Sequence, residues 1–115
     1  MSGSSIEAAT LANNHAFDYK QRGFDDTVNA LEGAGIATCG FGRKSVVKAN
    51  GVNVGLLGFT EWDYSQKEIR EEIEAMDKEC DVLVVSMHWG YEKDYGQTET
   101  MKKMAHMAVD AGADL

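Results

Sequence analysis

The spacing of apolar residues predicts a strand, a helix and a second strand in the first third of the chain. Residues 6–11 form a short β-prone run, and residues 36–39 form another. Between them, residues 19–34 carry apolar side chains at i, i+4 and i+7, the spacing of one buried helix face: Phe24, Val28 and Leu31. Asp18 is the predicted N-cap of this helix and Gly35 its terminator. A strand–helix–strand unit with such short connections predicts two parallel strands.

Two apolar runs on either side of Asn50 and Gly51 predict a β-hairpin. The runs are residues 46–49 and 52–59, and Asn-Gly readily adopts the two positive φ angles of a type I′ turn. A glycine inside a strand is typical of a bulge or of close approach by another backbone. The second strand has two of them: Gly55 and Gly58.

The remaining pattern predicts a helix, a strand and a third helix. Residues 65–78 form a helix capped by Ser65, with one apolar stripe: Ile69, Ile73 and Met76. Residues 82–87 are almost continuously apolar, which predicts a central strand buried on both faces. Residues 97–111 form the last helix, with this predicted buried face: Met101, Met104, Ala105, Ala108 and Val109. Residues 112–115 then end the helix and begin another strand.

These elements predict an α/β fold. Its architecture is a partial layered sandwich with a mixed, largely parallel sheet, one β-hairpin and three helices. We interpret residues 1–5 as a flexible lead or an expression remnant, and residues 6–115 as a single α/β domain. A chain that stops as a strand begins suggests a fragment of a larger domain, or a last strand that needs a partner edge.

Composition narrows the possible partners. The 115 residues have a formal net charge of −8 and no basic cluster, which argues against a nucleic-acid surface. No apolar run approaches the roughly 18 residues of a membrane-spanning helix. Cys39 and Cys80 lack metal-binding spacing, so we interpret them as two buried, unreactive thiols, with a disulfide between them as the alternative.

Polar side chains that can ligate a metal or move a proton follow the predicted strands. In open α/β sheets, ligands bind at the carboxyl ends of the parallel strands. If strands 6–11 and 82–87 belong to one sheet, the residues that follow them share an edge: Asn13, Asn14, His15 and His88, with Glu61 and Asp63 as further candidates. Amide oxygens and neutral imidazoles can bind divalent metals, and imidazole can transfer protons.

The structural interpretation of each histidine stays open beside the functional one. His106 lies on a predicted helix and is interpreted as structural, whereas His15 and His88 could be either hydrogen-bonding loop residues or members of a site. Zinc normally takes about three or four protein ligands. Only Asn14 and His88 stand out as metal ligands.

One stretch resembles a known family. Leu11-Ala12-Asn13-Asn14-His15-Ala16-Phe17-Asp18-Tyr19 resembles a signature of the bacterial capsule and poly-γ-glutamate synthesis proteins (CapA type), which belong to the calcineurin-like metallophosphoesterase superfamily. The resemblance extends over nearly the whole chain in the same order, in blocks at residues 23–31, 34–42, 50–60, 86–92 and 111–114. The most specific of these blocks contains His88-Trp89-Gly90 and Glu92.

The resemblance implies roles for individual residues. Asn14 and His88 would be metal ligands, and His15 would be a catalytic acid or charge stabiliser. Residues at the edge of the implied site are Asn13, Glu61, Asp63, Trp89 and Glu92. The metal would be Mn, Zn or Fe in an intact parent protein.

The chain also departs from the family pattern. The Asp-x-His, Gly-Asp and Gly-His-x-Pro-His motifs of the family are absent, and Lys20 stands where the family usually has glycine. We therefore expect an internal fragment that binds no metal stably by itself.

Three hypotheses follow for function. In the first, the parent protein is a metal-dependent phosphoester hydrolase that is inactive as this fragment. In the second, the parent is a non-catalytic accessory protein that binds or exports an anionic cell-surface polymer or its precursors. In the third, the chain is only a structural fragment that self-associates through sheet edges. The resemblance implies a parent in the bacterial cell envelope, outside the cytoplasm, with membrane anchorage left open. It leaves the enzymatic status of the parent open as well.

Overall fold

The computed structural model describes residues 5–115, so the lead predicted for residues 1–5 lies outside the described residues except for Ser5. It confirms an α/β fold with one hairpin and three helices. The elements in chain order are β1 (Ala8–Thr10), α1 (Lys20–Gly33), β2 (Ala37–Cys39), β3 (Ser45–Ala49), β4 (Val52–Thr60), α2 (Gln66–Asp77), β5 (Val82–His88) and α3 (Glu99–Ala111).

The strands form two sheets, not one. β1 pairs with β2 in parallel, as the strand–helix–strand pattern predicted. The second sheet has the order β3-β4-β5, antiparallel between β3 and β4 and parallel between β4 and β5. The condition that the first strand and the 82–87 strand share one sheet is therefore wrong.

Glycine residues allow the two sheets to come close together. A Cβ on Gly58 of β4 would lie 2.6 Å from Oγ1 of Thr10 and 3.2 Å from Cβ of Ala12, which confirms the predicted close approach. The end of β1 therefore lies against β4. The hairpin turn is also as predicted, since Asn50 and Gly51 have φ angles of 51° and 81°.

The start of α1 differs from the sequence prediction. Its N-cap is Tyr19, which makes no side-chain capping bond, and Asp18 is not the cap. The reason is local. Asp18 is hydrogen-bonded to the ring of His15, and Lys20 enters the helix with a left-handed φ of 61°.

The start of α2 follows the prediction. Ser65 Oγ accepts a hydrogen bond from the Glu68 amide at 3.2 Å, and Glu68 Oε2 accepts one from the Ser65 amide at 2.7 Å, which is a capping box. The predicted apolar stripe of α2 is fully buried: Ile69, Ile73 and Met76. It packs against Leu57 and Phe59 of β4 and Leu83 of β5 in the main core.

Strand β5 is less buried than its sequence predicts. Leu83 is buried, but Val82 is exposed and the rest of the strand is half-buried, so burial on both faces is wrong. The core cluster lies on the Leu83 side of the sheet, where α2 and α3 pack. On the opposite side, the close approach of β1 is at Gly58 of the neighbouring strand, which leaves β5 partly open.

Helix α3 buries only part of the predicted face, since Met104 and Ala108 are confirmed as buried. Its buried residues are Met104, Met107, Ala108 and Ala111. Ala105 is exposed and Val109 is 66% exposed, so both predictions were wrong, and Met101 is half-buried. Apolar residues surround much of this helix, and periodicity alone therefore did not select the side that packs.

The last residues, where the sequence predicted the start of another strand, lie beside β5. The amide of Asp114 donates to the carbonyl of Leu83 at 2.9 Å, and the amide of Val85 donates to the carbonyl of Leu115 at 2.8 Å. These bonds hold the segment against β5, but residues 113–115 do not form a regular strand in the described structure.

Candidate functional site

The two predicted polar clusters meet although their strands lie in different sheets. Oδ1 of Asn14, in the loop after β1, lies 3.1 Å from Nε2 of His88, the last residue of β5. The two residues are 74 positions apart in the chain. Asn14 is exposed and His88 is half-buried, so the contact is accessible to a ligand from solvent.

The other side of the Asn14 amide contacts two more residues of the predicted set. Its Nδ2 lies 3.3 Å from Oε1 of Glu92 and 3.3 Å from Nε2 of His15. One asparagine thus connects the loop after β1 with the loop after β5. The structure thus brings together four residues of the predicted site: Asn14, His15, His88 and Glu92.

His15 is paired with Asp18. Its Nδ1 lies 2.8 Å from Oδ2 of Asp18, at i+3 in the same loop. An ionised carboxylate only accepts hydrogen bonds, so Nδ1 of His15 carries the proton in this contact. In the neutral ring, Nε2 is then the unprotonated nitrogen, which can accept a hydrogen bond from Asn14.

The side chain of Asn13 hydrogen-bonds to the backbone of its own loop. Its Oδ1 accepts a hydrogen bond from the His15 amide at 2.9 Å, and its Nδ2 donates to the Leu11 carbonyl at 3.3 Å. These bonds to its own loop hold the backbone that presents Asn14 and His15.

The two acidic candidates after β4 have different surroundings. Oε1 of Glu61 accepts a hydrogen bond from the Gly90 amide at 3.2 Å, so Glu61 lies at the predicted edge and supports the loop after β5. The carboxylate of Asp63 accepts a hydrogen bond from the Thr60 hydroxyl, and the Asp63 amide donates one to Oγ1 of Thr60 at 3.2 Å. Its observed partner, Thr60, is the last residue of β4 and is not one of the site residues.

A cleft of about 320 Å³ opens beside the contact between Asn14 and His88. The residues around it are Asn14, Trp62, His88, Trp89, Gly90, Tyr91 and Glu92. The ring of Trp62 meets the His88 ring edge-on, with centroids 5.9 Å apart. The cleft is therefore lined by both polar and aromatic side chains.

Sequence reasoning missed three members of this arrangement. Trp62 and Tyr91 line the cleft, and Asp18 is the partner of His15. The i, i+3 spacing of His15 and Asp18 was a usable signal, but it was interpreted as a helix cap. The two aromatic residues lie in loops without periodicity, which left no signal for their position.

The spacing of two possible metal-ligand atoms at this site fits part of a metal coordination shell. Ligand atoms about 2.0–2.2 Å from one ion, at tetrahedral or octahedral angles, are about 2.8–3.6 Å apart. The 3.1 Å between Asn14 Oδ1 and His88 Nε2 falls within this range. However, residues 5–115 contain no group of three or more His, Cys, Asp or Glu side chains that could hold a metal.

The two cysteines lie away from this cleft and are both free thiols, as predicted. Burial raises the pKa of Cys39, although a hydrogen bond from Thr10 opposes the shift. Cys39 is buried as expected, whereas Cys80 is only half-buried, so the prediction of burial was correct for the first thiol alone.

Comparison with known proteins gives the family. The model of a family described as bacterial capsule synthesis protein PGA_cap matches residues 1–115. This chain belongs to the PGA_cap family. The predicted resemblance to capsule and poly-γ-glutamate synthesis proteins is confirmed.

Three curated relatives each share about a third of their aligned residues with this chain. The chain is 32% identical to the capsule biosynthesis protein CapA of Bacillus anthracis over 91% of its own length and 32% of that protein. It is 33% identical to the PGA biosynthesis protein CapA of Bacillus subtilis over 90% of its length and 33% of that protein. A Mycobacterium tuberculosis protein named as a probable polyglutamine synthesis accessory protein is 33% identical over 91% of the chain and 36% of the relative.

The chain therefore spans about a third of the length of the curated relatives that it matches. No solved structure matches it significantly. Within the described residues, none of the helices has the length and apolar character needed to cross a bilayer.

Proposed function

We propose that this chain supplies one wall of a metal-dependent, phosphoesterase-like site in a protein of capsule or poly-γ-glutamate biosynthesis. The observation that carries the proposal is the 3.1 Å contact between Asn14 Oδ1 and His88 Nε2. These two possible metal-ligand atoms come from the loop after β1 and the end of β5, which belong to separate sheets. Membership of the capsule synthesis family supports the biological context. The substrate or ligand would be an anionic polymer of the cell envelope or one of its precursors.

The proposal gives each residue a separate role. Asn14 and His88 would hold a divalent ion, such as Mn, Zn or Fe, through an amide oxygen and an imidazole nitrogen. When bound, such an ion would supply positive charge to a phosphoryl oxygen and lower the pKa of bound water. His15 offers Nε2 as the atom that exchanges a proton, because its Nδ1 is bonded to Asp18.

We further propose that this chain is inactive alone. Two donors are fewer than a stable site needs, since zinc sites use about three or four protein ligands. The curated relatives are about three times as long as the matched region, which leaves room for further ligands in a complete metallophosphoesterase-like fold. We therefore expect less than one metal ion per chain after purification and no phosphodiesterase activity.

Titration of this chain with Mn²⁺, followed by paramagnetic broadening of NMR signals, tests the metal assignment. Weak binding that broadens the Asn14 and His88 signals first, and that His88→Ala removes, is expected. His106→Ala is the matched control, because His106 is an exposed histidine on α3 that should not affect binding. Broadening centred elsewhere, or unchanged in His88→Ala, would contradict the proposal. Tight stoichiometric metal would contradict the statement that the chain alone is incomplete.

A non-catalytic accessory role is the second candidate. The name of the Mycobacterium tuberculosis relative describes that protein as an accessory protein, and residues 5–115 here lack a three-member group of metal-binding side chains. Phosphodiesterase assays on the full-length parent distinguish the two functions. Metal-dependent turnover lost in His15→Ala favours the enzyme, whereas polymer binding without turnover favours the accessory role.

A further inference from the structure

The Asn14 amide must be oriented correctly to act as a ligand. Its oxygen and nitrogen differ little in shape, but only the oxygen accepts hydrogen bonds or ligates a cation. Three side chains surround this amide: His15, His88 and Glu92. Their hydrogen-bonding abilities decide which way it faces.

The contact with Glu92 determines the orientation of the amide. An ionised carboxylate can only accept hydrogen bonds, so the atom of Asn14 that faces Glu92 must be the nitrogen. Nδ2 lies 3.3 Å from Oε1 of Glu92, and the opposite atom, Oδ1, consequently faces His88 at 3.1 Å. His15 agrees with this arrangement, because its Nε2 is unprotonated and also lies 3.3 Å from Nδ2.

We infer that Glu92 is a positioning residue, which orients the Asn14 amide so that Oδ1 faces His88 and the proposed metal position. Glu92 is itself exposed and acts on the site through Asn14. A consequence concerns the proton on His88. Because Oδ1 only accepts, Nε2 of neutral His88 carries the proton while this contact exists in the metal-free chain, and a bound metal ion would replace that proton. The inference deepens the proposed function and rests on it for the role of Asn14.

Reversing the charge at position 92 gives a sharp test. In Glu92→Lys, the ammonium donates hydrogen bonds and attracts Oδ1 of Asn14, so the amide should turn over and place Nδ2 against His88. Nε2 of His88 must then accept a hydrogen bond, and its proton moves to Nδ1. Glu92→Gln should keep the native arrangement, since its side chain still has an accepting oxygen.

Long-range ¹⁵N–¹H correlation spectra of the metal-free chain read the proton position directly. They are recorded at a pH of about 8.5, at which an unperturbed imidazole is neutral. We expect the Nε2–H form of His88 to predominate in the wild type and Glu92→Gln, and the Nδ1–H form in Glu92→Lys. Glu74→Lys on the exposed face of α2 makes the same charge change and should leave His88 as in the wild type.

A double variant confirms that the effect passes through Asn14. Asn14→Asp has an oxygen on both sides, so turning the group over changes nothing for His88. Asn14→Asp combined with Glu92→Lys should therefore restore the Nε2–H form. If Glu92→Lys leaves the Nε2–H form predominant, or if the double variant stays in the Nδ1–H form, the positioning role is overturned. Neither result depends on Mn²⁺ binding, so failure of the metal proposal is detected separately.

Discussion

Gly58 of β4 packs against Thr10 of β1 so closely that an added Cβ would be 2.6 Å from the threonine Oγ1. This contact lets the two-stranded sheet lie against the three-stranded one. The loop that follows β1 then reaches the carboxyl end of β5, where Asn14 meets His88. The candidate site therefore depends on an inter-sheet contact several residues away.

Gly58→Ala should destabilise the chain by about 1–3 kcal/mol, the range typical of overpacking in a core. It should also weaken the contact between Asn14 and His88. Denaturant unfolding measures the first effect, and chemical-shift changes at both residues measure the second. Gly33→Ala is the matched control, because nothing lies within 4 Å of its added Cβ in α1. The control should stabilise the chain by about 0.5–1 kcal/mol, and equal effects of the two variants would refute the packing argument.

Lys20→Gly should stabilise the chain by about 0.5–1 kcal/mol. Lys20 has a φ of 61°, a left-handed conformation that costs an L-residue about 1–2 kcal/mol and glycine almost nothing. The greater entropy of glycine in the unfolded chain offsets part of the gain. Arg22→Gly, inside the same helix, should instead destabilise by about 1 kcal/mol. Thermal unfolding of both variants measures the difference in stability. Destabilisation by both would show that the left-handed conformation of Lys20 does not strain the folded chain.

Asp18→Ala should cost less than about 1 kcal/mol, because its contact with His15 is an exposed pair. Ser65→Ala should cost about 1 kcal/mol, since Ser65 is a true N-cap of α2. Only the Asp18 variant should reduce the Nδ1–H form of His15, which the same nitrogen correlation spectra detect. A large loss of stability without a change at His15 would mean that Asp18 serves the helix after all.

The pKa of Glu68 is lowered by hydrogen bonds from the backbone and side chain of Ser65. Since the folded-state value lies below the ordinary value of 4.5, this stabilisation is present above pH 4.5 and is lost as the pH falls through the folded-state pKa. Glu68→Gln should therefore have a lower melting temperature than the wild type at pH 7, with a difference that shrinks below pH 4.5. Glu74→Gln, on the same helix, is the control. A difference that is constant with pH would contradict the capping-box assignment.

Local patterns in the sequence determined most of the elements. The period of Ile69, Ile73 and Met76 predicted the buried face of α2, and the Ser65 cap predicted its start, because both rules act within one or two helical turns. Asn50-Gly51 likewise determined its own turn through backbone conformation. The motif around Asn14 and His15 named candidate residues for a site.

Only the tertiary structure decided which of these candidates touch. The sequence suggested one shared sheet, but the site forms between two sheets held together at Gly58. The inward face of α3 and the partial exposure of β5 were also decided by packing, since apolar residues surround α3 and the layers cover β5 unequally. The sequence by itself determined the elements and the chemical groups, because their causes are short-range. Contacts such as Asn14 with His88 and Glu92 depend on how distant segments pack, and only the folded chain specifies them.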